Sequence, residues 1–353
     1  MNNSGAEGAG DARLVAQDLS VTFSLPGSRQ AHAVDGVNLE VGAGEIVALA
    51  GESGCGKTTL ARTLLGLEQP TDGSVSYNGE PLGRSTRALR KFRRQVQMVL
   101  QDPAGALNPR QTVYEAVAEG LRIHGIEGDN EAEQVMEALS QAGLRPPERF
   151  LMNYPYELSG GQRQRVVIAG ALALAPKILV ADEPVASLDA SVRGEILALL
   201  QKLRDEFGLG ALVVTHDLGL AWNIADRIAV MYLGRIVEQG PVEQVLKDPQ
   251  HPYTRALVSV LPESPLADEA VVLAGEAPDA SSIPGGCRFH PRCPIVADGR
   301  AAEAGVEEQC KSHKLQILAS KPDQWQVACH YAATRELEGV ESAGLEAEGR
   351  ADR

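Results

Sequence analysis

Leu14, Val15, Leu19, Val21 and Phe23 alternate with polar residues, and Val34, Val37, Leu39 and Val41 repeat the pattern. That spacing predicts strands with one covered face. A different pattern follows at Ile46-Val47-Ala48-Leu49-Ala50, at Ile178-Leu179-Val180-Ala181 and at Ala211-Leu212-Val213-Val214. These are short unbroken apolar runs, the mark of strands buried on both faces of a mostly parallel sheet. Helical spacing covers Thr58 to Leu67, and Val113, Ala116, Val117, Leu121, Val135, Leu139 and Leu144 give a one-sided helical stretch between about Thr112 and Leu158. Helical segments precede the second and third buried runs. Such alternation predicts an α/β fold.

Composition narrows the class. The chain has 353 residues, 44 % hydrophobic and 23 % charged, the balance of a globular protein of about two units. A net charge of −14 argues against a duplex-binding protein, whose affinity rests on a basic surface. The longest apolar run, Val166 to Ala175, is too short to cross about 30 Å of hydrocarbon. No charged start followed by an apolar stretch marks a secretory signal at Met1–Arg13. Residues 1–12 and 334–353 read as disordered tails, the second acidic, and Pro and Gly thicken from Pro262 to Pro284 like a linker. The run Arg84, Arg87, Arg90, Lys91, Arg93, Arg94 is either a solvated helix face or a docking surface.

The chemistry begins where the first buried strand ends. Gly51-Glu52-Ser53-Gly54-Cys55-Gly56-Lys57-Thr58 matches the phosphate-binding loop pattern between a strand and a helix. Its glycines let backbone N–H groups turn inward at the positive end of the helix. Lys57 can reach the β- and γ-phosphates, and the Thr58 hydroxyl can ligate Mg²⁺. Ile178 to Pro184 is an apolar strand ending in Asp182 and Glu183, a metal-holding carboxylate and a candidate base for water. Leu158-Ser159-Gly160-Gly161-Gln162 sets small residues at a helix N-terminus, where backbone N–H groups can grip an anion.

With 158–162 placed between the phosphate loop and the Asp-Glu strand, the three segments resemble the ATP-binding cassette (ABC) ATPases. Further positions follow the family pattern: Gln101 matches the glutamine that contacts Mg²⁺ and water, and His216 matches the histidine on the γ-phosphate. Ser187-Leu188-Asp189 matches the loop crossing to the partner subunit, and Phe23 lies where an aromatic stacks on adenine. The resemblance implies an α/β P-loop NTPase (RecA-like) core with a mostly parallel sheet, an antiparallel β subdomain, an inserted helical subdomain and a small irregular C-terminal extension. It implies ATP bound by Phe23, Ser53, Gly54, Cys55, Gly56, Lys57, Thr58, Thr59 and Asp182, with Mg²⁺ on Thr58 and Gln101. Glu183, His216 and Gln101 are the expected catalytic residues. Cys55 is expected to offer its backbone N–H and little else. Ser159, Gly160, Gly161 and Gln162 would complete the site of a second subunit in trans, with Asp189 at the crossing loop.

His251-Pro252-Tyr253-Thr254 and Gly286-Cys287-Arg288-Phe289-His290-Pro291-Arg292-Cys293-Pro294 resemble the C-terminal extension of oligopeptide and dipeptide importer ATPases. The expected division is 13–265 for the nucleotide domain, with its helical part at about 102–165, and 266–333 for the extension. This implies a subunit on the cytoplasmic face of the membrane that works with two permease subunits, a second and paralogous ATPase, and an extracytoplasmic solute-binding protein, without nucleic acid. Di- or oligopeptides are the expected cargo. A nickel chelate or oligosaccharide is the alternative, and a soluble ABC ATPase acting on nucleic acid or ribosomes is the rival class.

Cys287, Cys293, Cys310 and Cys329 are separated by five, sixteen and eighteen residues. Structural zinc sites usually show two short Cys-x₂₋₄-Cys pairs, which this spacing lacks, whereas an Fe–S cluster tolerates it. The residues alone leave zinc, a cluster or reduced thiols open. The resemblance favours a [4Fe–4S] cluster, stapling an extension with little apolar core of its own.

Overall fold

The computed structural model describes residues 12–334 except 263, 265, 268–270, 274, 277, 315–317 and 320–324, and for 129, 318 and 319 the backbone only. The expected tails, 1–12 and 334–353, lie outside the described residues apart from Ala12 and Thr334. Two sheets organise the rest. β1 (Arg13–Leu25), β2 (Arg29–Gly42), β4 (Asp72–Tyr77) and β5 (Glu80–Pro81) form an antiparallel sheet in the order β2-β1-β4-β5. The second sheet has eight strands. Its parallel centre holds β3 (Ile46–Ala50), β6 (Val96–Val99), β7 (Ile178–Asp182), β8 (Gly210–Thr215) and β9 (Arg227–Tyr232) in the order β9-β3-β8-β7-β6. Beyond β9 come the antiparallel β10 (Arg235–Pro241), then β12 (Gln326–Val327) and β11 (Leu318–Ala319).

Every residue of β3, β7 and β8 is buried. Side chains alternate across a strand, so β3 feeds two cores. Val47 and Leu49 face the antiparallel sheet with Leu14, Leu19, Val37, Leu60 and Leu64. Ile46, Ala48 and Ala50 face the other side, shared with the helices. α1 (Lys57–Leu64) follows β3 directly, and α2 (Thr86–Gln95) leads into β6. In α2, Phe92 points inward and Arg93 bonds the Gly66 carbonyl at 3.0 Å, while Arg84, Arg87, Arg90, Lys91 and Arg94 remain exposed.

Between β6 and β7 lie α3 (Pro103–Ala106), α4 (Val113–Ile123), α5 (Asp129–Gln141) and α6 (Gly160–Leu172). Val117, Leu121, Val135, Leu139 and Ala169 bury their common face. A capping box, Thr112 with Glu115, starts α4. α7 (Ala190–Phe207) and α8 (Leu218–Ile224) cover the same side of the sheet, and α9 (Val242–Lys247) and α10 (Pro252–Ser259) follow β10.

The extension differs from the expected appendage. Besides α11 (Pro294–Ala297), α12 (Arg300–Glu303) and α13 (Glu307–Ser312), it adds β11 and β12 to the central sheet. Phe289, Ile295, Val306, Trp325 and Val327 are buried in the same core as β7 and β8. Phe289 packs on Tyr232 and Tyr253 with ring centroids 5.2 and 5.4 Å apart. The segment that reads as a linker also packs where it is described: Leu266, Leu273 and Ile283 lie against that core, and His32 N donates to the Ala280 carbonyl at 3.1 Å. No helix among the described residues is long and apolar enough to cross a membrane.

Candidate active site

The site forms along the carboxyl ends of neighbouring strands, where an open parallel sheet leaves a crevice. β3 ends at Ala50, and the chain turns through 51–56 into α1. Gly51 and Gly56 adopt φ of +154° and +109°. A Cβ at Gly51 would stand 2.2 Å from the Met231 carbonyl, and one at Gly56 only 2.0 Å from the Ala33 carbonyl. The turn therefore requires glycine for both conformation and space. Lys57 starts α1 and folds back, its Nζ donating to the Gly51 carbonyl at 2.7 Å and the Glu52 carbonyl at 2.9 Å. Ser53, Gly54 and Thr58 are exposed at the rim, while Thr59 is half-buried.

Cys55 lies within the loop. Its N–H donates to the Glu52 carbonyl at 3.3 Å and its carbonyl accepts from Gly234 N at 2.8 Å. The thiol is buried, and burial raises its pKa.

Asp182 closes β7 and is buried, which pushes its carboxyl pKa up. The Thr58 hydroxyl donates to it at 3.4 Å. Glu183 then takes φ +46°, a left-handed conformation uncommon outside glycine, while its N–H still bonds the Val214 carbonyl at 2.9 Å. Its carboxylate lies 3.1 Å from His216 Nδ1 and accepts from Gln101 Nε2 at 3.4 Å. Gln101 follows β6 and His216 follows β8, so three neighbouring strands deliver three polar groups to one point. Held strain at a reactive position accompanies function.

Ser159 caps α6: its Oγ accepts from Gln162 N at 3.2 Å, and Gln162 Oε1 accepts from Ser159 N at 2.9 Å. Ser159 is exposed, Gly160 half-exposed and Gly161 buried under Val192. Among the described residues no hydrogen bond joins 158–162 to Lys57, Thr58, Asp182 or Glu183. Asp189 is the exposed N-cap of α7, and Phe23 stands 38 % exposed on β1 opposite Ala31. The loop, Asp182, Glu183, Gln101 and His216 come together; among the described residues no hydrogen bond joins Phe23, 158–162 or Asp189 to Lys57, Thr58, Asp182 or Glu183.

A second site lies in the extension. Cys287, Cys293, Cys310 and Cys329 line one small cavity with His251 and His290, partly open to solvent. All four are free thiols. Burial, with the other cysteines nearby, pushes Cys310 up to about 11 and Cys329 up to about 12. A cation held between them would reverse that balance, since thiolates are the ligating form. His251 is wholly buried, and burial lowers its pKa to about 3, so the ring is neutral. Its Nδ1 accepts from Tyr253 N at 3.1 Å, which leaves the proton on Nε2. That Nε2 has no hydrogen-bond partner among the described residues. A buried orphan donor beside four thiols fits a site for a group with anionic acceptors. Among the described residues no three His, Cys, Asp or Glu side chains stand close enough to hold a single metal ion.

Sequence reasoning missed the polar links behind the loop. Arg292 bonds Glu52 at 3.0 and 3.3 Å, and Tyr253 OH accepts from Glu52 N at 3.0 Å. Asp35 is paired with Arg235, Arg288 and Lys314; burial raises its pKa, and the three cations together outweigh that and lower it. Only the two quoted extension stretches hinted at these contacts.

A phosphate loop on a parallel sheet, with a strand-end Asp-Glu pair, defines a P-loop nucleoside triphosphatase. Comparison with known proteins places it further. Residues 34–186 match the ABC transporter family model, and residues 237–299 match the oligopeptide/dipeptide transporter C-terminal region. The chain belongs to the ABC transporter ATPase family, in the group that carries this C-terminal region. It is 40 % identical over 330 residues to a di/tripeptide transport ATP-binding protein, DppF, of Pseudomonas aeruginosa, covering 90 % of this chain and 97 % of that one. It is also 40 % identical over 320 residues to the oligopeptide transport ATP-binding protein OppF of Escherichia coli, covering 86 % and 95 %. Among solved structures it is similar to a dimeric, ADP- and phosphate-bound ATP-binding cassette, MJ0796, at 33 % identity and TM-score 0.58, covering 65 % of this chain and 98 % of that one. CbiO1 of Clostridium perfringens, part of the cbiONQ transporter complex, is similar at 30 % identity and TM-score 0.61, covering 70 % and 94 %.

Proposed function

We propose that this ATPase powers uptake of di- or oligopeptides through separate permease subunits, from the cytoplasmic face of the membrane. The observation that carries the reading is the junction of Glu183 with Gln101 and His216 beside the Lys57 loop, in a chain whose relatives are peptide-transport ATP-binding proteins. Lys57 leaves the Gly51 and Glu52 carbonyls to reach the phosphates. Glu183 takes the proton of the attacking water, held in place by its two neighbours. His216 contacts the γ-phosphate, and Phe23 stacks on the base. Thr58 and Gln101 would hold Mg²⁺, with Asp182 behind Thr58; the ion supplies charge neutralisation at the phosphates.

Ser159 stands exposed at the start of α6, and among the described residues no hydrogen bond ties 158–162 to the chain's own loop, which supports the action of Ser159, Gly160, Gly161 and Gln162 on a second subunit's ATP. That subunit is proposed to be a paralogue, with Asp189 at the crossing and an extracytoplasmic binding protein selecting the cargo. We also propose that Cys287, Cys293, Cys310 and Cys329 hold a [4Fe–4S] cluster; their shared cavity and the orphan His251 Nε2 support it. Reconstitution with permeases and binding protein tests the function: peptides should stimulate ATP hydrolysis, and stimulation by a nickel chelate or oligosaccharide alone would redirect the cargo.

A further inference from the structure

We propose that Arg292 is a positioning residue for the phosphate loop, which makes ATP affinity depend on the order of the cysteine turn 287–293. This rests on reading 51–58 as the phosphate loop, and not on which group the cysteines hold.

Besides the Cys55 N–H within the turn, three contacts meet on Glu52. Its carboxylate accepts both arms of the Arg292 guanidinium, its N–H donates to Tyr253 OH, and its carbonyl accepts from Lys57 Nζ. The first two come from the extension and α10, behind the loop. The third is the contact that Lys57 gives up when it turns to a phosphate. A loop anchored from behind keeps its shape as Lys57 leaves; an unanchored one must be ordered again at each binding event.

Arg292 is itself held. Its side chain is only 8 % exposed and lies over the Tyr232 ring at 5.9 Å. It closes the short turn His290–Arg292, where Arg292 N bonds the Phe289 carbonyl at 2.9 Å and Cys293 N bonds the His290 carbonyl at 3.3 Å. Cys287 pins the other end through its N–H to the Cys310 carbonyl at 2.9 Å. Both ends of the turn are therefore cavity cysteines, and its middle grips the loop. A paired, two-pronged guanidinium–carboxylate contact has the geometry for this role.

The test compares Arg292→Gln, Glu52→Gln, Cys293→Ser and the pair Arg292→Gln/Cys293→Ser in the full chain assembled with its partner subunits. Trinitrophenyl-ATP titration gives Kd, and steady-state hydrolysis gives KM and kcat. Each single variant should weaken ATP binding and raise KM about 10-fold, the range of a typical coupling between sites. In Arg292→Gln, kcat should stay within about 2-fold, because the groups around Glu183 are untouched. The double variant should be no weaker than Arg292→Gln alone, since both changes act through one contact. Arg292→Lys, which keeps the charge but loses the fork, should fall between and serves if Arg292→Gln does not fold. Unchanged Kd and KM in either folded Arg292 variant would overturn the proposal, as would additive losses in the double variant. Wild-type protein that binds no nucleotide would instead overturn the reading of the loop.

Discussion

Replacing Glu183 by Gln isolates one chemical property. The amide is the same size and can keep contacts to His216 at 3.1 Å and Gln101 at 3.4 Å. The left-handed backbone at φ +46° is no harder for Gln than for Glu. Burial of Asp182, Lys57 and the loop is unaffected. What disappears is the capacity to accept a proton from water. A positioned base contributes about 10²- to 10⁴-fold, or roughly 3–5 kcal/mol of barrier. The variant should therefore bind ATP with wild-type affinity and lose about two to four decades of kcat. With opening blocked, the ATP-joined pair of subunits should accumulate. The assay is phosphate release by the complete complex, together with size-exclusion chromatography of the ATPase subunits in ATP and in ADP. A kcat within about 3-fold of wild type would refute the assignment of Glu183 as base. So would lost ATP binding, because the damage would then lie in structure and not in chemistry.

Other outcomes follow from named contacts. Gly56→Ala sets a Cβ against the Ala33 carbonyl at φ +109° and should cost about 1–3 kcal/mol; differential scanning calorimetry would show a lowered Tm, and an unchanged Tm would contradict the steric argument. Cys310→Ser or Cys329→Ser should remove bound iron and the brown colour of anaerobically purified protein, and equimolar zinc without iron in the wild type would reject the cluster. Glu238 is wholly buried, and burial lifts its carboxyl from 4.5 to about 7 although Gln250 N, His251 N and Trp325 Nε1 donate to it. Between those values the folded protein keeps a proton that the unfolded chain has lost, so stability falls as pH rises through the window, by about 3 kcal/mol. Urea unfolding at pH 5 and pH 8 should show that loss in wild type and a smaller one in Glu238→Gln; an equal loss in both would exclude Glu238 as the cause.

Parts of this molecule are written locally. β3, β7 and β8 are covered on both faces, so each is a continuous apolar run. The loop after β3 needs glycines at fixed places, and these leave a pattern. Glu183 was marked by its place at the end of an apolar strand, whereas Gln101 and His216 are ordinary residues in isolation and only their place in the family order pointed to them; the meeting of the three depends on the order of β6, β7 and β8 in the sheet. Other parts leave no local trace. Arg292 and Glu52 are 240 residues apart, and no periodicity links them. β11 and β12 are two residues each, too short to alternate, and exist by pairing, β12 with β10 and β11 with β12. Phe289 and Trp325 look like isolated aromatics among Pro, Gly and charge because their core partners, Tyr232, Tyr253 and Glu238, belong to another part of the chain.

The most direct measurement of the central claim is ATP hydrolysis by the complex of this chain, its partner ATPase, the permeases and the binding protein in vesicles. Di- or oligopeptides added with the binding protein should raise hydrolysis and drive peptide into the lumen on the binding-protein side's opposite face, and Glu183→Gln should abolish both. Hydrolysis that ignores every peptide, or peptide transport that survives Glu183→Gln, would contradict the account.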